Sequence, residues 1–434
     1  MAGGTWTTQN KVRPGAYVNV RSNGNLGTSE SIAGVVALPL ALDFGPENEV
    51  IEINVNSDLT RLGYDLTHEK LLLLREALKQ AATVLIYRVG TGGKAAAVEG
   101  SLSVKALYGG TRGNDISVVS KENVNITGAF DVETYLEGRL VDNQTAKNIE
   151  ELADNRLVSF TGEGELTAFS IVLENGTNTA ATASDYMKFF SKIQVFDFNT
   201  IALPVQDEVT KAAGASFIDR MRNEEGKKCQ LVIAGYPANN EAVINVKNGV
   251  ILSDGTRITA EQATAWVAGA SAAAGVATSL TYKNYDGAVD VTQRYLNSEI
   301  IDALQAGEFV FTEKRGAAVV EQDINSLRSF TTEKSRDFSK NRILRVLDDM
   351  ANNSKKTFED NFIGKVNADQ DGRELFKADR ISYFNSLQGA GAITNFSAED
   401  VSVEAGNDKD SIVLNVQVQP VDATEKLYMT VQVL

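Results

Sequence analysis

The chain has 434 residues, 43% of them apolar and 23% charged, enough for roughly two to four domains with hydrophobic cores and far from disordered, collagenous or coiled-coil compositions. Its 57 acidic against 42 basic side chains give a formal charge of −15, a surface that repels phosphate backbones and anionic bilayers and so argues against a nucleic-acid partner. A single cysteine, Cys229, excludes an intramolecular disulfide; with a single histidine, His68, it cannot build a Cys/His zinc cluster and leaves one imidazole for general-base work.

Residues 1–22 begin without the basic-then-apolar pattern of a signal peptide, so export is not expected. The alternation at Tyr17, Val18, Asn19, Val20 and Arg21 predicts an extended arm ending in a strand, with a frayed terminus as the plain alternative. The apolar stretch Ile32 to Leu42 is broken by Gly34 and Pro39 and falls short of the roughly 18 residues that span a bilayer. An amphipathic helix is expected from an N-cap at Thr67 through Leu71, Leu74 and Leu78, followed by a strand at Thr83–Val89. From about 97 to 180, short strands at Ile116–Ser120, Phe130–Leu136, Leu157–Phe160 and Phe169–Leu173 alternate with Gly and Asn turns, the pattern of a β-sandwich. From 181 to 330, strands at Ile193–Phe198 and Leu231–Ala234 alternate with helices near Asp207–Glu225 and from the capping box Thr259…Gln262 to about Val276, the pattern of an α/β layer. Helices are expected around 333–352, 354–363 and 373–387. Two alternating runs follow, one with Ile412, Leu414, Val416 and Val418 on a face, the other with Leu427, Met429, Val431 and Val433, joined by a turn at 420–425. An apolar strand ending at Leu434 needs a partner, and closure onto its own sheet is what the pattern alone favours.

The motifs that carry chemistry fail on spacing. Gly90-Thr91-Gly92-Gly93-Lys94 follows a strand, but Arg88 and Ala95 stand where a P-loop needs Gly and Ser or Thr, which leaves a glycine linker. Asn367, Asp369, Asp371 and Gly372 open like a calcium loop, yet its closing position is Ala378, where a bidentate Glu should stand; an Asp-Gly turn before a helix is the plain reading. Gly269-Ala270-Ser271-Ala272-Ala273 lacks the second glycine of a nucleophile elbow, and His68 lies outside the α/β layer. Asp348-Asp349 and Glu224-Glu225 are adjacent and point to different helix faces, unlike a glycosidase pair. Against the acidic background, residues 327–345 carry six basic and two acidic side chains, a local surplus of +4. On a helical wheel Lys334, Arg342 and Arg345 fall opposite Ile343, Leu347 and Met350, either as a stripe for an acidic partner, which would also explain Phe338, or as a solvated face with intramolecular ion pairs.

Several segments resemble the contractile-tail sheath proteins of phages, prophages and phage-tail-like bacteriocins of Gram-positive bacteria. These are Ala2-Gly3-Gly4-Thr5-Trp6 with Pro14-Gly15-Ala16-Tyr17, Tyr108-Gly109-Gly110-Thr111-Arg112-Gly113-Asn114-Asp115-Ile116, Phe196-Asp197-Phe198-Asn199, Glu224-Glu225-Gly226-Lys227-Lys228-Cys229-Gln230, Tyr285-Asp286-Gly287-Ala288, Val320-Glu321-Gln322-Asp323, Lys340-Asn341-Arg342 and Pro420-Val421-Asp422-Ala423 with Glu425-Lys426-Leu427-Tyr428-Met429-Thr430. Their order covers nearly the whole chain. The resemblance implies an α/β multidomain fold: an N-terminal arm (1–22), an N-terminal sheath domain (23–92), an inserted β-sandwich (93–180), a subtilisin-like α/β domain without catalysis (181–330), an α+β C-terminal domain (331–420) and an exchangeable C-terminal β-strand (421–434). It implies a structural subunit with no cofactor and no metal, forming stacked six-fold rings around a tail tube, bounded by baseplate and tail terminator proteins, and contracting to drive the tube through a target cell envelope. Neither nucleic acid nor membrane is contacted directly. The particle, a virion or bacteriocin, would assemble in the bacterial host cytoplasm. Neighbours would be linked through Tyr17, Val18, Asn19, Val20 and Arg21 of the arm and Leu427, Tyr428, Met429, Thr430, Val431, Gln432, Val433 and Leu434 of the last strand, with Lys334, Arg342 and Arg345 facing the tube. The competing reading is a hydrolase or ligand-binding enzyme built on the α/β layer.

Overall fold

The computed structural model describes residues 2–4, 15–17 and 34–433. The chain falls into two compact units, one of residues 1–37, 76–83 and 196–434, the other of residues 38–75 and 84–195.

In the first unit, strands Glu308–Phe309, Val243–Val246, Gln230–Ala234, Thr200–Ala202 and the start of Val35–Ala41 lie side by side, all parallel. Gln230–Ala234 and Val243–Val246 are buried at every position, as parallel strands covered by helices must be, and they are apolar almost throughout for that reason. Helix Glu208–Asn223 starts where Asp207 accepts the Thr210 N–H at 2.8 Å. Helix Ala260–Ala273 starts at the Thr259/Gln262 capping box. The strand expected at Ile193–Phe198 is not formed. Ala183–Ile193, which belongs to the second unit, is a helix started by its own Thr182/Asp185 capping box, and the next strand begins at Thr200.

The C-terminal part of this unit is built on two helices, Asn341–Asn361 and Gln370–Gly389. The first is one continuous 21-residue helix where two segments were expected, and residues 333–340 precede it as turns and a short 3-10 helix, Arg336–Ser339. Ile343, Leu344, Val346, Leu347, Phe384, Leu387, Ile393, Phe396 and Val401 form its core, and Phe338, 3% exposed, belongs to that core rather than to a contact surface. Strands Val401–Ala405 and Ile412–Val416 pair antiparallel from Val401↔Val416 to Ala405↔Ile412.

The second unit holds a four-stranded sheet in the order Arg139–Ala146, Phe130–Leu136, Ile116–Glu122, Phe169–Val172, and a three-stranded sheet in the order Val158–Thr161, Leu102–Ala106, Ala96–Glu99. Alternate residues, Leu102, Val104 and Ala106 on one strand and Ile116 and Val118 on another, fill a common core. The helix expected to start at Thr67 starts one residue later: His68 Nδ1 accepts the Lys70 N–H at 3.1 Å, and the 3-10 turn Glu69–Leu71 runs into Leu72–Leu78. Gly110 sits at φ 129°, where a Cβ would lie 1.9 Å from the Asp43 carbonyl oxygen, so this turn accepts no other residue.

Candidate interaction site

The second apolar run does not close onto the chain's own sheet. Among the described residues, 421–433 form no strand, and Ile412–Val416 is partnered by Val401–Ala405 instead. Leu427, Tyr428, Met429, Val431 and Val433 are between 71% and 93% exposed. Such exposure of consecutive large apolar side chains is the mark of a surface awaiting a partner. The Val401–Ala405/Ile412–Val416 sheet has two strands only, so both outer edges present backbone groups without a strand partner among the described residues.

What precedes the exposed run is tightly held. The Glu425 carboxylate, 11% exposed, accepts from Thr281 Oγ1 at 2.8 Å, Gln322 Nε2 at 2.6 Å and Lys340 Nζ at 2.5 Å. Lys340 also reaches Asp422 at 3.3 Å. Burial alone would raise the Glu425 carboxyl, but the hydrogen bonds from Lys340, Gln322 and Thr281 together hold it below the ordinary range.

At the other end of the chain, Ala2–Gly4 and Gly15–Tyr17 pair in parallel, Gly4 opposite Tyr17. Gly15–Tyr17 packs against helix Asn341–Asn361. Val18, Asn19, Val20, Arg21 and Leu434, the remaining expected linking residues, lie outside the described residues.

The basic residues expected to face a tube are not brought together as an open stripe. Lys334 precedes the helix and pairs with Glu241 at 2.6 Å. Arg345 donates to Asp323 and to the Thr278 carbonyl, both at 2.7 Å. Arg342 is 9% exposed, its Nε buried without a hydrogen-bond partner among the described residues, and burial pulls its guanidinium below the usual range. The surplus positive charge is therefore spent largely inside the subunit. The carboxylates that neutralise it lie far away in sequence, where a helical wheel does not see them.

The remaining motifs are structural. Ser271 donates to the Gln230 side chain at 3.1 Å from inside helix Ala260–Ala273. Asp369 caps Gln370–Gly389 by accepting the Gly372 N–H at 2.9 Å. Tyr285 donates to buried Glu76 at 2.7 Å, and the Trp266 indole donates to Asp286 at 2.7 Å. Arg222 and Asp348 form a buried bidentate pair with both contacts at 2.7 Å. A cleft of about 360 Å³ beside Glu425 is lined by Thr281, Tyr282, Leu304, Glu321 and Gln322 among others. It carries no His, Cys or Ser, and its two carboxylates are engaged, Glu321 by Thr312 at 2.7 Å and Lys314 at 3.0 Å. Among the described residues no cluster of three His, Cys, Asp or Glu could hold a metal, and no helix is long and apolar enough to cross a membrane. The Glu425 anchorage is what sequence reasoning missed. Its only signal was an acidic residue two positions before the apolar run.

Four family models match consecutive parts of the chain: the tail sheath protein Gp18 domain III N-terminal region over 33–89, the phage tail sheath protein beta-sandwich domain over 90–182, the phage tail sheath protein central domain over 179–326 and the phage tail sheath C-terminal domain over 333–434. The phage-like element PBSX protein XkdK of Bacillus subtilis (strain 168) is 41% identical over 465 residues, covering 100% of both chains. The crystal structure of the sheath tail protein from Desulfitobacterium hafniense shares 46% identity over 96% of this chain and 99% of its own, with a TM-score of 0.84. The helical sheath of the anti-feeding prophage in its contracted state shares the fold at 14% identity, with a TM-score of 0.57 over 97% of this chain and 99% of its own.

Proposed function

Because the chain belongs to the phage tail sheath protein family, and is a structural subunit of a contractile sheath rather than an enzyme, we propose that it polymerises by strand exchange into stacked six-fold rings around a tail tube. Residues 427–434 of one subunit add to a free edge of the Val401–Ala405/Ile412–Val416 sheet of a neighbour, and the arm through Tyr17–Arg21 adds to that of another. Main-chain hydrogen bonds supply affinity in such pairing, and alternate side chains set the register. The observation that carries this reading is the exposure of Leu427, Tyr428, Met429, Val431 and Val433 on a segment with no strand partner among the described residues.

The extended sheath is then a higher-energy packing held by tube and baseplate, with a terminator at its far end. Contraction buries more surface between subunits while the exchanged strands keep them tethered, and no nucleotide or cofactor takes part. We assign the parallel layer at 181–330 a subtilisin-like topology used as scaffold, with the sandwich at 93–180 inserted and the C-terminal domain at 331–420 carrying the acceptor sheet. The particle, virion or bacteriocin, assembles in the host cytoplasm, without nucleic acid or membrane touching this subunit. A tube-facing role for Lys334, Arg342 and Arg345 would require opening the pairs to Glu241 and Asp323 and forms no part of the proposal.

The test is negative-stain electron microscopy of the chain alone and co-expressed with its tail tube, beside a chain stopped before Leu427. Long hollow striated cylinders that vanish on truncation are expected. Discrete small particles in every sample, or cylinders that survive truncation, would refute strand exchange through this segment.

A further inference from the structure

A strand that joins two subunits is only as well placed as its root. Thr281, Gln322 and Lys340, which converge on Glu425, come from three stretches of chain 144, 103 and 85 residues away. The Thr281 hydroxyl oxygen accepts the Asp323 N–H at 3.0 Å, which leaves its single proton for Glu425. Lys340 and Glu425 are 17% and 11% exposed, unlike the solvated ion pairs that contribute little. Their bonds are charge-assisted and shielded from water. One residue later the chain is free: Lys426 is exposed and Leu427 is 86% exposed.

We propose that Glu425 is the pivot of the linking strand, a positioning residue that fixes where the free segment starts. The inference rests on reading 427–434 as the exchanged strand and adds the fulcrum from which it swings.

Without Glu425, the last fixed point along the chain is Asp422, held by Lys340 at 3.3 Å just after the Val421 N–H that donates to Ala392 at 3.0 Å. The free segment would lengthen by about three residues. Lengthening from about 8 to about 11 residues lowers the effective concentration of the strand less than about twofold by the −3/2 power law. The larger effect is on placement. Three flexible residues add roughly 9 Å of root-mean-square slack, against the roughly 4.8 Å that separates neighbouring strands. A strand launched with that slack meets wrong edges and wrong registers as readily as the right ones. The clamp therefore governs the order of the polymer more than the affinity of one link.

The experiment compares full-length wild type, Glu425→Ala and Glu425→Gln, with the chain stopped before Leu427 as reference. Three readouts are taken: tryptic cleavage after Lys426 in the unassembled subunit, thermal melting followed by tryptophan fluorescence, and the length and striation of the cylinders. Expected for Glu425→Ala are cleavage at least tenfold faster and short cylinders with irregular striation, with a melt lowered only modestly because Lys340 keeps Asp422 at 3.3 Å. Glu425→Gln, which keeps an acceptor of the same length but no charge, should fall between. Cylinders and cleavage like wild type in Glu425→Ala would overturn the pivot. If Glu425→Ala also melts early, Glu425→Gln decides: wild-type cleavage and striation in it overturn the proposal. Normal cylinders from the truncated chain would instead sink the strand-exchange reading, which is a separate failure.

Discussion

Replacing Asp348 with Ala strands a buried guanidinium, and the consequence can be worked from the contacts around it. Arg222 is 7% and Asp348 10% exposed at the side chain. Arg222 donates twice to Asp348 at 2.7 Å and once to the Cys229 carbonyl at 3.0 Å. Burial alone would pull the Arg222 guanidinium down, yet Asp348 holds it above its ordinary value. Beside it, Lys228 donates to the Arg222 carbonyl at 3.0 Å, and the other acid whose charge acts on both, Glu241, is already taken by Lys334 at 2.6 Å. Asp348→Ala therefore leaves two buried cations with no free counter-ion, a change that costs about 3–5 kcal/mol when one partner of a buried pair is removed. At 2–4 °C per kcal/mol for a unit of this size, the melting temperature should fall by roughly 6–20 °C. Urea and thermal melts followed by Trp266 fluorescence, in a Trp6→Phe background, report the unit directly, because Trp266 is fully buried against Tyr285 with ring centroids 4.4 Å apart. The double replacement Arg222→Met with Asp348→Leu removes both charges and should return to within about 1 kcal/mol of wild type. A single Asp348→Ala that costs under about 0.5 kcal/mol would refute the reasoning, as would a double variant no better than the single.

The same cluster sets a pH dependence. Burial, and then the Arg222 charge, push the Lys228 ammonium down to about 8 from 10.5, so above pH 8 the folded state sheds a proton that the unfolded state keeps, and stability rises with pH. Burial raises the Cys229 thiol to about 12 from 9.0, which opposes the rise once the unfolded thiol ionises near pH 9. Urea melts at pH 7.5 and 9 should show a net gain of about 1 kcal/mol that Lys228→Met abolishes; a flat profile in wild type would contradict it. In the other unit, Gly110→Ala must move the backbone at Asp43 and hold a strained φ of 129°, costing roughly 3 kcal/mol. Hydrogen exchange across Ile116–Glu122 should quicken by roughly 100-fold on that cost, and unchanged protection would show the turn to be more forgiving than its geometry.

Elements defined by their own residues were legible in the sequence. Helix Glu208–Asn223 begins at Asp207 and helix Ala260–Ala273 at Thr259 because each cap is a short-range contact, and strands Thr83–Val89 and Phe130–Leu136 lie where their composition puts them. The strand expected at Ile193–Phe198 is instructive. Ile193, Val195 and Phe196 imitate a buried strand, but Ile193 ends a helix whose inward side is Phe189, Phe190 and Ile193, while Val195 and Phe196 are 75% and 38% exposed. Hydrophobicity by itself does not distinguish a core run from an uncovered one. The interaction site was legible to the same degree: the apolar run at 427–433 was readable, whereas its want of a partner in its own subunit and its anchorage on Thr281, Gln322 and Lys340 depend on chain pairings that periodicity does not encode. The pairing of the basic residues was hidden for a related reason, since Glu241 lies 93 residues from Lys334.

Helix Asn341–Asn361 takes on a mechanical meaning once two of its grips are considered as attachment points. Lys340, at its N-cap, grips Glu425 and Asp422, and Asp348, about 12 Å further along the axis at 1.5 Å per residue, grips Arg222 on helix Glu208–Asn223. A pull on the chain beyond Lys426 enters the body at the first grip and leaves it at the second. Between them the force runs along a hydrogen-bonded rod, not through side-chain packing that yields by sliding. Tension on the proposed linking strand would thus be delivered to the parallel layer within two and a bit turns of helix, by a short and stiff route.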